Sequence, residues 1–360
     1  MAILAGAIAI FIILLILWEA FETIILPRRV TRRFRLTRLV VLNAWRFWVA
    51  LAGRIRSRAR REAYLSFFGP LAAIMLLAVW AVVLIFGFGL LHWALGSHLA
   101  APEGRAGFGT DVYMSGTTFF TLGLGDVVPR SNTARVVTVL EAGLGFGFLA
   151  LVISYLPTLY QAFSSREVII SMLDARAGSP PAAGELIRRL GHGETAMAVE
   201  FFEQWEQWAA EVLESHISYP ALAYFRSQHD NQSWLAAMTT VLDACALTMS
   251  IVDCDTQRPA SLTFAMARHA VVDLSQIFNA APEPPAPDRL PPEALERLRA
   301  LLRGSGIPLN TGPASDGRLT ELRAMYEPYV GALSRRFLMG LPDWMPVPGL
   351  KDNWQKTWWH

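Results

Sequence analysis

The chain has 360 residues, 53% of them apolar and 17% charged, with a net charge of +2 and a mean hydropathy of +0.33. That balance excludes an ordinary soluble globular composition and fits a membrane protein that carries a soluble part. Two cysteines, Cys245 and Cys254, make neither a metal cluster nor a disulfide framework and read as small buried hydrophobes.

Residues Ala2–Trp18 are almost wholly apolar, and the apolar character resumes at Phe21–Leu26 past Glu19 and Glu22. At about 1.5 Å of rise per residue this stretch crosses a hydrocarbon core of about 30 Å, so residues 1–27 form a first transmembrane helix. A cleaved signal peptide is the competing reading, but no basic region precedes the apolar run and no convincing cleavage site closes it. The two glutamates at its inner end sit at the interface or pair with nearby arginines.

Pro27 stops that helix and opens a basic segment over residues 28–63, where twelve arginines fall between Arg28 and Arg61 without one acid. The positive-inside rule puts this block in the cytoplasm and the N-terminus outside. Within it, Leu36, Leu39, Val40, Trp45, Trp48 and Leu51 have arginines between them, at Arg38 and Arg46. The pattern predicts a helix on the anionic inner-leaflet surface; a solvated basic linker is the alternative. A block pinned between two spans is a poor nucleic-acid site.

Residues 64–166 read as a pore domain. Pro70–Leu95 is a second span, with His92 and Trp93 near its outer interface. After the loop Gly96–Gly109, Thr110 or Asp111 can cap a short helix running to about Phe120. That helix is too short to cross a bilayer, so it must enter and return. The third span, Ala134–Phe163, exceeds what the core requires and projects into the cytoplasm. These spans make the protein a multi-pass protein of the cell membrane with a cytoplasmic C-terminus.

Residues 167–360 read as a helical cytoplasmic domain. Glu194–Ile217, Gln232–Val252, Ala260–Phe278, Glu293–Arg303 and Leu319–Met339 carry helical apolar spacing. Met266, His269 and Ile277 are expected to face inward on the third of these. Pro328 is a kink or boundary in the last. A proline-rich linker over 281–292 is expected to be exposed and extended. The tail holds Trp344, Trp354, Trp358 and Trp359, which dock either on the helical domain or on the inner membrane face. His216, His229 and His269 lack metal-ligand spacing.

Between the second and third spans lies Thr121-Leu122-Gly123-Leu124-Gly125-Asp126, a polar, glycine-rich string between long apolar segments. Irregular backbone at membrane depth is tolerated only where it lines a water-filled path or is buried in protein. Successive carbonyls directed to one side can replace an ion's hydration shell, which demands backbone conformations alternating in sign. Gly123 and Gly125 supply these without steric cost. Thr121 can add a hydroxyl ring at the inner end, and Asp126 can brace the outer end against the short helix.

This stretch resembles the pore loop of tetrameric potassium channels of the prokaryotic type, with one pore loop per chain. The family pattern is Thr-x-Gly-x-Gly-Asp after an amphipathic pore helix, with a proline three residues past the aspartate. Thr121, Gly123, Gly125, Asp126 and Pro129 match it, and the resemblance covers roughly residues 70–163. It implies an all-α membrane protein with a potassium-channel-like pore of two helices and a re-entrant pore helix. To this the chain adds an N-terminal transmembrane helix and a helical C-terminal domain. It further implies a homotetramer, K+ at the level of Thr121, Leu122, Gly123 and Leu124, and no enzymatic activity or organic cofactor. Leu124 replaces the usual Tyr or Phe, and Phe120 stands where the family often has a second threonine. A weakly selective cation channel is therefore one alternative. A membrane-anchored interaction or sensor protein with a non-conducting pore loop is another.

Three further positions stand out. By the resemblance, Gly145 matches an inner-helix gating hinge, against the plainer reading that small residues let helices pack closely. Pro157 is expected to bend the inner helix near the cytoplasmic entrance. Glu141 is an intramembrane ionisable residue, expected to brace the back of the filter through Tyr113 or Thr117. No glycine fingerprint of a nucleotide-binding domain follows a strand: Gly191-His192-Gly193 and Gly304-Ser305-Gly306 lack the P-loop lysine.

Overall fold

Apolar helix periodicity dominates the chain, and the computed structural model is correspondingly helical. It describes all residues except 26–35, 103, 105, 192–194, 230, 284, 348 and 350–360, and omits the side chains of Ile25 and Arg58. The chain divides into two compact units, Met1–Gln161 and Ala162–His360. Among the described residues, three helices are long and apolar enough to cross a membrane.

The first unit opens with α1 (Ala2–Ala20), which passes into a π-helical turn over Phe21–Ile25. Helix α1 runs antiparallel to α4 (Phe68–Ala94), since Gly6 faces Ala94 and Ile13 faces Gly87. The basic segment holds two helices, α2 (Leu36–Ala52) and α3 (Arg58–Ser66), where one was expected. Ser57 caps α3 by accepting from the Arg60 amide. Glu19 reaches from the C-terminal end of α1 to the start of α2, where its Oε2 accepts from the Thr37 amide at 3.2 Å and hydroxyl at 2.8 Å. A carboxylate at a helix N-terminus is favoured by the unpaired amides there. Trp48 stacks on Tyr64 at 4.5 Å and Trp45 packs on Phe68 at 4.8 Å, joining α2 to the α3–α4 junction. The expected stop at Pro27 and the arginines through Arg35 lie outside the described residues.

The short helix is α5 (Phe108–Phe119), with Gly107 as its N-cap rather than Thr110 or Asp111. Two-residue strands flank it: β1 (Leu99–Ala100) and β2 (Val128–Pro129) pair antiparallel, with Leu99 opposite Pro129. Helix α6 (Asn132–Ala177) then runs 46 residues without interruption. The boundary expected at residue 166 therefore falls inside a helix, and Pro157 also sits within it.

In the second unit, α9 (Trp234–Thr248) is buried along its whole length. A helix buried on every face is a core helix, and at 15 residues this one is shorter than a bilayer span needs. Around it pack α7 (Ala183–Leu190), α10 (Gln257–Ile277), α12 (Pro313–Ala324) and α13 (Glu327–Phe337), while α8 (Thr195–Ser218) packs on α10 and α11 (Pro292–Gly304) on α7. A further bridge joins Val252 to Leu309.

Three expectations for this unit need correction, and one alternative is decided for Trp344. The helical run over Leu319–Met339 is two helices, α12 and α13, with its break at Met325–Tyr326 rather than at Pro328. The buried face of α10 is Thr263, Phe264, Ala267, Ala270, Val271 and Leu274, which leaves His269 exposed. The proline-rich linker is anchored at its end: Leu290 is buried, and Arg289 binds Asp243 at 2.5 Å and the Pro342 carbonyl at 2.9 Å. Trp344 is buried in the helical unit beside Arg289 and Arg323, and its carbonyl accepts from Gly184. The other tail tryptophans, with His192, Gly193 and Glu194, lie outside the described residues.

Candidate ion-pore site

Helix α5 is held deep in the unit by small residues. A Cβ on Gly89 of α4 would meet the Val112 backbone at 2.9 Å, so only glycine lets α5 approach this closely. Near its N-terminus Asp111 is buried and accepts from the Ser97 hydroxyl at 2.6 Å.

At its C-terminus α5 closes in a Schellman motif. The Leu122 amide donates to the Thr117 carbonyl at 2.8 Å, and the Thr121 amide donates to the Thr118 carbonyl at 3.0 Å. This places Thr121 at the left-handed position, with φ of 57°. Glycine or asparagine usually stands there, and a β-branched residue is an outlier. Strained backbone of this kind persists where surrounding structure over-determines it, as at ligand sites.

The string then alternates. The dihedral φ is positive at Thr121 (57°), Gly123 (57°) and Gly125 (78°), but not at Leu122 or Leu124. No atom beyond the neighbouring residues lies within 4 Å of where a Cβ on Gly123 or Gly125 would stand. Leu122 and Leu124 are 60% and 63% exposed in the single chain. At the far end of the string Asp126 accepts from the Tyr113 hydroxyl at 2.8 Å, and the Arg130 amide donates to the His98 carbonyl beside the β1–β2 pair. Both ends of Thr121–Asp126 are thus tied to α5 or to the loop before it.

The supporting residues fall differently from the sequence expectation. Glu141 is fully buried, but it contacts neither Tyr113 nor Thr117. Its Oε1 is hydrogen bonded to Ser115, and its Oε2 lies 3.7 Å from His92 Nε2. The reason is helical phase: Tyr113 and Ser115 are two positions apart on α5 and point to different sides. Thr117 supports the string through its backbone carbonyl, while its hydroxyl donates to the Met114 carbonyl. Gly145 packs against α5: a Cβ there would overlap the Phe119 carbonyl oxygen. Gly143 and Gly147 face open space.

Sequence reasoning missed Ser115, Ser97 and the strained Thr121. His92 was a legible signal, since an ionisable side chain within a span needs a partner; that its neighbour is Glu141 on another helix was not legible.

Residues 74–162 match the Ion_trans_2 family model, described as Ion channel. The chain is also similar to the uncharacterized membrane protein YdjJ of Bacillus subtilis (strain 168). The two are 22% identical over 233 residues, 62% of this chain and 67% of the relative. No solved structure matches the chain. The match to the ion channel model spans α5, the alternating string and the part of α6 that carries Glu141 and Gly145.

Proposed function

We propose that this protein is a potassium-selective channel, a homotetramer in which four copies of Thr121–Asp126 surround one pore. The observation that carries the reading is the sign alternation at Thr121, Gly123 and Gly125 in a loop between two apolar helices. Backbone of that kind turns successive carbonyls to one side, and rings of such carbonyls replace an ion's hydration shell. One string per chain makes fourfold closure of identical subunits the simplest route to a complete ring. The long exposed apolar face of α6, including Val136, Val139, Phe146 and Ile153, suits contact with lipid and sister subunits. In this reading K+ passes the levels of Thr121, Leu122, Gly123 and Leu124. The N-terminus faces outside, the second unit lies in the cytoplasm, and the basic residues between Arg28 and Arg61 meet anionic lipid.

A weakly selective cation channel is the second reading, favoured by the exposed Leu124 where an aromatic side chain and its packing would stiffen the loop. Reversal potentials in reconstituted bilayers, with potassium and sodium on opposite sides, separate the two. A reversal near the potassium equilibrium potential is expected, and a reversal near zero refutes potassium selectivity. Gly123→Ala, which forces a Cβ into the left-handed region at a cost of roughly 1–2 kcal/mol per chain, should abolish the current. Undiminished current through that variant would refute the assignment of the pore to this string.

A further inference from the structure

The hydroxyl of Ser115 on α5 has one proton and two oxygen neighbours. Its Oγ lies 2.8 Å from the Ile85 carbonyl oxygen of α4 and is hydrogen bonded to Glu141 Oε1 of α6. A carbonyl only accepts, so that contact takes the hydroxyl proton. The second hydrogen bond must then receive its proton from the carboxyl side, and an ionised carboxylate has none to give.

We infer that Glu141 is a protonated, neutral carboxylic acid. It donates to Ser115, and Ser115 donates to the Ile85 carbonyl. This relay ties α6, α5 and α4 together with one proton at each step and no uncompensated charge. Burial agrees: Glu141 and Ser115 are both fully buried, and an isolated carboxylate in such surroundings is costly.

The ionisable groups around it are few. From α4 comes His92, whose Nε2 lies 3.7 Å from Glu141 Oε2, long for a hydrogen bond but within ion-pair distance of a charged imidazole. From α5 comes Asp111, engaged with Ser97. Helix α1 brings no titratable side chain between Ala2 and Trp18, and on α6 itself the turns beside Glu141 hold Val137, Thr138, Leu144 and Gly145. No described arginine or lysine approaches Glu141, so the rival state is an ionised Glu141 paired with a His92 imidazolium, which would show no carboxylic-acid band.

Loss of that proton leaves an acceptor-only carboxylate. Ser115 must then give up either Glu141 or the Ile85 carbonyl, loosening α5 at the turn before Thr117 and Thr118, whose carbonyls hold the Leu122 and Thr121 amides. Glu141 is in this sense a positioning residue. That consequence rests on the channel reading; the proton assignment does not.

Infrared spectroscopy of the full chain in lipid tests the assignment without any current. At neutral pH, the wild-type protein minus Glu141→Gln should show the carbonyl-stretch band of a protonated carboxylic acid, shifted in deuterium oxide. Asp111→Asn should leave that band in place. Ser115→Ala should keep the acid protonated but move its band to higher frequency, because the acid has lost its acceptor. Absence of the difference band at neutral pH, or a band that Ser115→Ala leaves unmoved, overturns the inference. Thermal unfolding is the second measurement: the glutamine amide can donate to Ser115, so Glu141→Gln should unfold near the wild-type temperature while Glu141→Ala unfolds lower. Equal loss in both variants would also overturn it.

Discussion

Replacing Gly145 with alanine adds one methyl group where α6 lies against the end of α5. The structure leaves no room for it: the new carbon would overlap the Phe119 carbonyl oxygen and crowd the Phe119 Cα. Backbone cannot swing aside as a flexible side chain can, so the two helices must separate. Overpacking of this kind costs about 1–3 kcal/mol, a factor of roughly 5 to 150 in an equilibrium constant. The residue displaced is two positions before Thr121, so the alternating string should be disturbed with it. Thermal unfolding of the full chain in detergent should show Gly145→Ala well below wild type. Gly143→Ala and Gly147→Ala, whose added carbons meet nothing within 4 Å in the protomer, serve as controls. If Gly145→Ala unfolds with the controls and changes only how a current opens and closes, the close-packing argument fails and a hinge role stands in its place.

Three other outcomes follow from the geometry. Arg289→Ala should destabilise the second unit by about 3–5 kcal/mol in denaturant titration, because Asp243 is left charged and buried without its partner; Asp243→Asn combined with it should recover part of that loss. Burial, with the Arg166 guanidinium nearby, pushes the imidazole of His216 down to about 3 from an ordinary 6.5. Between those values the unfolded chain binds the extra proton, so stability should fall as the pH drops through this window, by at most about 1.4 kcal/mol per pH unit. His216→Gln should flatten the acid limb, and an unchanged slope would refute the cause. Thr121→Gly should raise thermal stability by up to about 1 kcal/mol by relieving a left-handed β-branched residue; a loss would show that Thr121 is not strained there.

Much of the site was legible because membrane chemistry restricts what a sequence can mean. A polar, glycine-rich string between apolar spans has few physical interpretations, and the spacing of Gly123 and Gly125 already implied backbone that alternates in sign. Less legible was anything set by which helix lies against which. Glu141 was visible as an intramembrane acid, yet its partners stand 26 residues away at Ser115 and 49 residues away at His92. Arg289, in what read as an exposed linker, is drawn inward by Asp243, a carboxylate 46 residues earlier.

By itself the sequence determined the long apolar helices, the short helix between two of them and the string with left-handed glycines, because hydropathy, length and the missing Cβ act locally. Only the tertiary structure decided that Thr121 shares the left-handed conformation, as the end of a Schellman turn. It also decided that Gly145 is where α6 presses on Phe119 and that Glu141 meets Ser115 rather than Tyr113. Those outcomes depend on the phase in which neighbouring helices pack, and that phase comes from contacts between distant segments.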